Sequence, residues 1–83
     1  MKILKFYADY CEPCKEFDKI IENITCKVPI VPYNYDVRTA AVLEYGVRCV
    51  PTLIMLDDYD IEMRRLIAPT TEEQFKTFIE ERP

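Results

Sequence analysis

Two cysteines, Cys11 and Cys14, flank a Glu-Pro pair in the stretch YADYCEPCKEF, where an apolar run gives way to a charged one. Thiols at this spacing have three readings. They cycle between dithiol and disulfide, they supply half of a tetrahedral metal site, or they share a turn by accident of composition. The redox reading depends on thiolate, which is the nucleophile, and so on what surrounds each sulfur. The metal reading needs further ligands. The chain has no histidine, and its other thiols, Cys26 and Cys49, form no second Cys-x-x-Cys. The absence of histidine also removes the usual general base near neutral pH.

The flanking periodicities place the pair. Residues Ile3 to Ala8 form a nearly continuous apolar run of β-formers, the pattern of a strand covered on both faces. Beyond Pro13 the period changes. Phe17, Ile20, Ile21 and Ile24 fall at i, i+3, i+4 and i+7 among charged residues, which predicts an amphipathic helix over 13–24. Pro13 suits its first turn, where a missing N–H costs little. Cys11 then sits at or just before a helix N-terminus. Unsatisfied N–H groups and the positive end of the helix dipole favour its thiolate. The division of labour follows: Cys11 is exposed and attacks, while the more buried Cys14 resolves the mixed disulfide.

The remaining elements read in order. Residues 28–36 are a strand with Pro29 and Pro32 at its start or edge. VRTAAVLEYG is a short helix stopped by Gly46, the only glycine. PTLIML is a buried strand, DDYD a turn without the usual glycine, and IEMRRLI the returning strand. TTEEQFKTFIEER closes the chain as a helix with a buried stripe of Phe75, Phe78 and Ile79. Its capping box is either Thr70 with Glu73 or Thr71 with Gln74. The order β-α-β-α-β-β-α predicts one mixed sheet with helices packed on it.

Composition sets the outer bounds. A length of 83 residues predicts a single domain over 1–83, and 49% apolar residues predict a globular chain. A net charge of −4 without a basic tract argues against nucleic acid or an anionic membrane as partner. No segment approaches the ~20 apolar residues of a membrane span. The start, MKILKFYAD, is too short in its apolar part for a secretory signal. A cytoplasmic location is therefore expected. There, cysteines serve catalysis or metal binding more often than structural disulfides.

With these residues in place, FYADYCEPCKEF resembles the active-site segment of thioredoxins, whose usual form is Cys-Gly-Pro-Cys preceded by tryptophan. EYGVRCVPTLIML resembles the segment around their cis-proline, and the separation of the two motifs matches the family's layout. The resemblance covers nearly the whole chain and leaves unmatched the N-terminal strand and helix of full-length thioredoxins. The shorter form is similar to small thioredoxin- and glutaredoxin-like proteins of archaea and phages. It implies an α/β minimal thioredoxin fold, with a four-stranded mixed sheet and helices on both faces. It implies a cis Pro51 facing the cysteine pair, with Val50 offering its backbone to a substrate strand. It further implies a thiol-disulfide oxidoreductase without a bound cofactor, acting on disulfide-containing proteins. Electrons would come from NADPH through a thioredoxin reductase, or from glutathione as in glutaredoxins. A reductant dedicated to ribonucleotide reductase fits equally. A non-catalytic redox-sensing or binding module is the alternative of another class. The expected state is a monomer, with a Cys49-linked dimer as the alternative.

The departures from the family pattern concern the same site. Tyr10 stands where tryptophan is usual and keeps an amphipathic ring beside the nucleophile. Glu12 replaces glycine. Its carboxylate either opposes thiolate formation at Cys11 or is solvated in the first helical turn. Lys5 takes the place of the family's buried aspartate. It either tunes the thiols or snorkels to the surface along its strand, and snorkelling is the expectation. Cys49 precedes Val50 and Pro51 and so lies near the dithiol. The expectation is a small apolar residue filling a gap, with a third redox thiol, a regulatory site or a dimer link as the alternatives. Cys26 is read as packing. Ile67 aligns near a family glycine in the substrate groove, which predicts a narrower or more apolar groove.

Overall fold

The computed structural model describes residues 1–80. The chain forms β1 (Lys2–Tyr7), α1 (Glu12–Glu22), β2 (Ile30–Asn34), α2 (Thr39–Tyr45), β3 (Thr52–Leu56), β4 (Glu62–Ile67) and α3 (Glu72–Glu80). The four strands make one sheet in the order β2-β1-β3-β4. β1 runs parallel to β2 and antiparallel to β3, and β3 is antiparallel to β4, so the sheet is mixed. β1 and β3 are central, which explains the nearly continuous apolar run of β1 and the full burial of β3, every residue of which is buried.

Strand alternation divides the core between two faces. Ile3, Leu53 and Met55 point to one face and meet Phe17 of α1 with Phe75 and Phe78 of α3. The rings of Phe17 and Phe75 meet edge-on, with centroids 5.7 Å apart. Leu4, Phe6, Ile54 and Leu56 point to the other face, where Ala41, Val42 and Tyr45 of α2 cover them. Helices thus lie on both faces. Each of these large side chains contributes about 1.5–3 kcal/mol by burial.

The element ends have local causes. α1 stops at Glu22 with Asn23 as its cap, so Ile24 completes the apolar stripe from just outside the helix and still packs on the same core. Pro29 precedes β2. The Pro29 carbonyl accepts from Ile3 N–H at 2.8 Å, and Tyr35 N–H donates to the Tyr7 carbonyl at 2.7 Å. Alternation from these bonds turns Ile30, Pro32 and Asn34 outward. Pro32 therefore sits mid-edge, where its missing N–H discourages pairing with another chain. Gly46 ends α2 in the left-handed region at φ 64°. In the β3–β4 turn Asp60 takes the left-handed conformation at φ 62° that glycine usually fills, while the Asp57 carboxylate accepts from the N–H groups of Tyr59 and Ile61.

Thr71 and Gln74 make the capping box of α3. Gln74 N–H donates to the Thr71 hydroxyl at 3.2 Å, and Thr71 N–H donates to the Gln74 side-chain oxygen at 2.9 Å. The expected continuation of this helix through Glu81 and Arg82 lies outside the described residues.

Candidate active site

The site is built where β1 hands over to α1. Ala8 is buried at the strand's end, and Cys11 N–H donates to its carbonyl at 3.1 Å, closing a tight turn. Cys11 is the N-cap of α1 with extended backbone, and its Sγ accepts the Cys14 N–H at 3.1 Å. A cap oxygen usually fills this role. A sulfur held there receives a backbone N–H and the positive end of the dipole, both of which stabilise its anionic form. Pro13 occupies the first turn, where no intrahelical N–H is lost. Cys11 and Cys14 are joined as a disulfide with Cα atoms 5.3 Å apart.

Two expectations about cysteine exposure need correction. Cys11 is not open to solvent: it is 7% exposed against 3% for Cys14, because Ala8, Tyr7 and Val50 close around the pair. Cys49 does not fill a gap. It is exposed, with Sγ 4.0 Å from the Thr52 hydroxyl, because the core beneath it is filled by Val47 and by Thr52, whose hydroxyl donates to the Cys49 carbonyl at 2.8 Å. Cys26 packs against the α1–α3 core, its Sγ 3.4 Å from the Val28 carbonyl.

The second loop of the site precedes β3. The Val50–Pro51 peptide bond is cis, and the Val50 carbonyl lies 3.8 Å from Cys11 Sγ. Pro51 is buried, and its carbonyl accepts from Ala68 N–H at 2.9 Å, tying this loop to the end of β4. Ile67 pairs with Thr52 and remains 58% exposed. It lines a cavity of about 310 Å³ with Val47, Arg48, Cys49, Thr52 and Arg65. The left-handed residue here is Ala68, at φ 48°. Tyr10 is 72% exposed, an aromatic ring presented to solvent next to Cys11. The Glu12 carboxylate is exposed and faces Lys15 Nζ at 3.4 Å, so it has a countercharge on its own helix.

Lys5 does not snorkel freely to solvent. Its Nζ is 2.5 Å from Asp18 Oδ1 on α1, and its side chain is 17% exposed. Sequence reading missed Asp18 and Tyr7. The available signal was spacing: Asp18 follows Cys14 by four positions, one helical turn. Among the described residues, no group of three or more histidine, cysteine, aspartate or glutamate side chains is placed to hold a metal ion. No helix among them is long and apolar enough to cross a membrane.

Comparison with known proteins agrees with this geometry. The family model described as Thioredoxin matches residues 1–81. A thioredoxin of Chlamydia caviae is 34% identical over 59 residues, covering 68% of this chain and 58% of its own length. One of Haemophilus influenzae is 36% identical over 58 residues, covering 65% of this chain and 54% of its own. The chain thus spans little more than half the length of these curated relatives. The solved structure of a mutant thioredoxin from Halobacterium salinarum superposes with a TM-score of 0.83 at 29% identity, over 94% of this chain and 70% of that one. With a helix-capping Cys-x-x-Cys beside a cis-proline loop and a family model matched along nearly its full length, the chain belongs to the thioredoxin family.

Proposed function

We propose that the Cys11–Cys14 couple reduces disulfide bonds of protein substrates. The observation that carries this reading is Cys11 Sγ at the N-terminus of α1, receiving the Cys14 N–H within reach of Cys14. In the dithiol form, the Cys11 thiolate attacks one sulfur of a substrate disulfide. That S–S bond breaks, the departing thiolate takes a proton, and Cys11 is left joined to the substrate. The Cys14 thiolate then attacks Cys11 Sγ. The mixed disulfide breaks, the Cys11–Cys14 bond forms, and two electrons have passed to the substrate.

Val50, whose carbonyl lies 3.8 Å from the attacking sulfur, and the adjoining Pro51 serve as the seat for an extended substrate segment, with Tyr10 and Ile67 as its exposed apolar rim. Glu12 and Pro13 shape the first turn of α1. A reductase drawing on NADPH restores the dithiol, no cofactor is held by the chain, and the compartment is the cytoplasm.

Equilibration against glutathione buffers tests this. A reductant has a potential near about −270 mV, and an oxidant lies near about −120 mV. A value near the first, with turnover of a protein disulfide that is lost in Cys11→Ser, supports the reading. A value near the second makes the protein an oxidant and overturns both the direction of transfer and the cytoplasmic location.

A further inference from the structure

The loop Gly46–Pro51 joins α2 to β3 and carries Val50, whose carbonyl lies 3.8 Å from Cys11 Sγ. Its near end hangs from α2, which is lightly anchored. All seven residues of α2 are at least partly exposed, its N-cap Arg38 makes no side-chain capping bond, and its last turn holds no basic residue. The last carbonyls of a helix lack partners within it and carry the negative end of the dipole. Arg65 of β4 supplies the missing cation from across the sheet. It pairs with Ile54 of β3, which puts its side chain on the face that α2 covers. A terminal guanidinium nitrogen donates to the carbonyl of Tyr45, the last residue of α2, at 2.7 Å. Glu62 aims the same group, its two carboxylate oxygens accepting from Nε and the terminal nitrogen at 2.6 Å each. The Arg65 and Glu62 side chains are 26% and 33% exposed. A forked, largely covered guanidinium is a stiff tether. The far end of the loop is held separately. The Thr52 hydroxyl donates to the Cys49 carbonyl at 2.8 Å, and Ala68 N–H donates to the Pro51 carbonyl at 2.9 Å.

We propose that Arg65 is a positioning residue for the substrate seat. By tying the end of α2 to β4 it fixes where the loop Gly46–Pro51 departs, and so holds Val50 beside Cys11. The inference rests on the proposed role of Val50 and Pro51 as the seat for a substrate segment. Arg65 touches neither sulfur and acts through the loop. It therefore governs how a protein disulfide is aligned with Cys11, and leaves the chemistry of the dithiol alone. A small disulfide that needs no seat is indifferent to it. A displacement of about 1 Å at such a seat costs up to about a hundredfold in rate, so a loosened tether has a measurable effect.

The test compares two probes in single-turnover oxidation of the reduced protein: insulin, a protein disulfide, and hydroxyethyl disulfide, a small neutral one. In each reaction the dithiol becomes the Cys11–Cys14 disulfide and the probe's disulfide becomes two thiols. Arg65→Met should slow the reaction with insulin about tenfold and change that with hydroxyethyl disulfide by less than about twofold. A merely stabilising contact would not separate the two probes in folded protein. Amide hydrogen exchange at Gly46 and Val47, whose N–H groups bond back to α2 at 3.3 and 3.0 Å, should quicken about tenfold in the same variant. Equal loss on both probes, or loss on neither, overturns the proposal. Loss on insulin without faster exchange would make Arg65 a direct substrate contact and overturns its positioning role. If Arg65→Met does not fold, Arg65→Gln decides by the same readouts, since its amide is too short to reach the Tyr45 carbonyl. The exchange measurement needs no substrate. Faster exchange in the variant of a protein that reduces no disulfide would overturn the proposed function alone. An active reductant whose variant does not separate the probes would overturn this inference alone.

Discussion

Cys11 and Cys14 differ little in exposure, so the proposed division of roles between them rests on what surrounds each sulfur. Cys11 Sγ accepts the backbone N–H of Cys14 at the helix cap, whereas Cys14 lies inside the first turn. The expected consequence is asymmetric. Cys11→Ser should abolish turnover, because no thiolate remains at the cap. Cys14→Ser should leave attack intact and accumulate a mixed disulfide with substrate, seen as a mass increase reversed by a small thiol. Trapping by Cys11→Ser instead would exchange the two roles. The spacing and the strand-helix junction made this pair legible in the sequence. Val50 beside the pair was expected only from the family resemblance, and the packing of Tyr7 against it was not read from the sequence, because both contacts are made by the folded chain.

At the scale of elements, the two faces of the sheet are tied together through adjacent residues of β4. Arg64 donates to the Phe78 carbonyl of α3 at 2.8 Å, and Arg65 donates to the Tyr45 carbonyl at the end of α2 at 2.7 Å. Alternation sends neighbouring side chains to opposite faces, so each arginine meets a different helix. Beyond Tyr45, α2 is stopped by Gly46, and a Cβ built there would meet nothing within 4 Å. Gly46→Ala should therefore cost only its left-handed backbone, about 1 kcal/mol, read as a lower urea midpoint with unchanged slope. A much larger loss would mean that the residue also makes room for a neighbour. Helix and strand identities were legible because periodicity is local. Strand ends and the choice between the two capping boxes were not, since they follow from which backbone groups find partners across the sheet.

For the whole molecule, two partly buried ionisable groups contribute to how stability depends on pH. Hydrogen bonds from Arg65 hold the Glu62 carboxyl below its usual 4.5. A folded value below the unfolded one contributes stability above pH 4.5 that is lost as pH falls through the folded value. Burial, with Glu44 adding repulsion, raises the Tyr45 phenol above its usual 10.0. That contribution is present below pH 10.0 and is lost as pH rises through the folded value. Urea midpoints should accordingly form a plateau that falls at both ends. Glu62→Gln should lower the plateau and soften its acid flank, because the titrating partner of Arg65 is gone. An acid flank unchanged in Glu62→Gln would place the responsible carboxylate elsewhere.

Sequence alone determined the order of elements, the apolar stripes of the first and last helices, and the placement of two thiols at a strand-helix junction. These are local patterns of period and punctuation, set by neighbours within a few positions. Only the tertiary structure decided that Cys11 is covered, that Cys49 is exposed, and that Lys5 meets Asp18. Each of these depends on chain segments brought together by strand order and sheet-face packing. A periodic pattern states which face of an element is buried, but not which residue of another element will be standing opposite it.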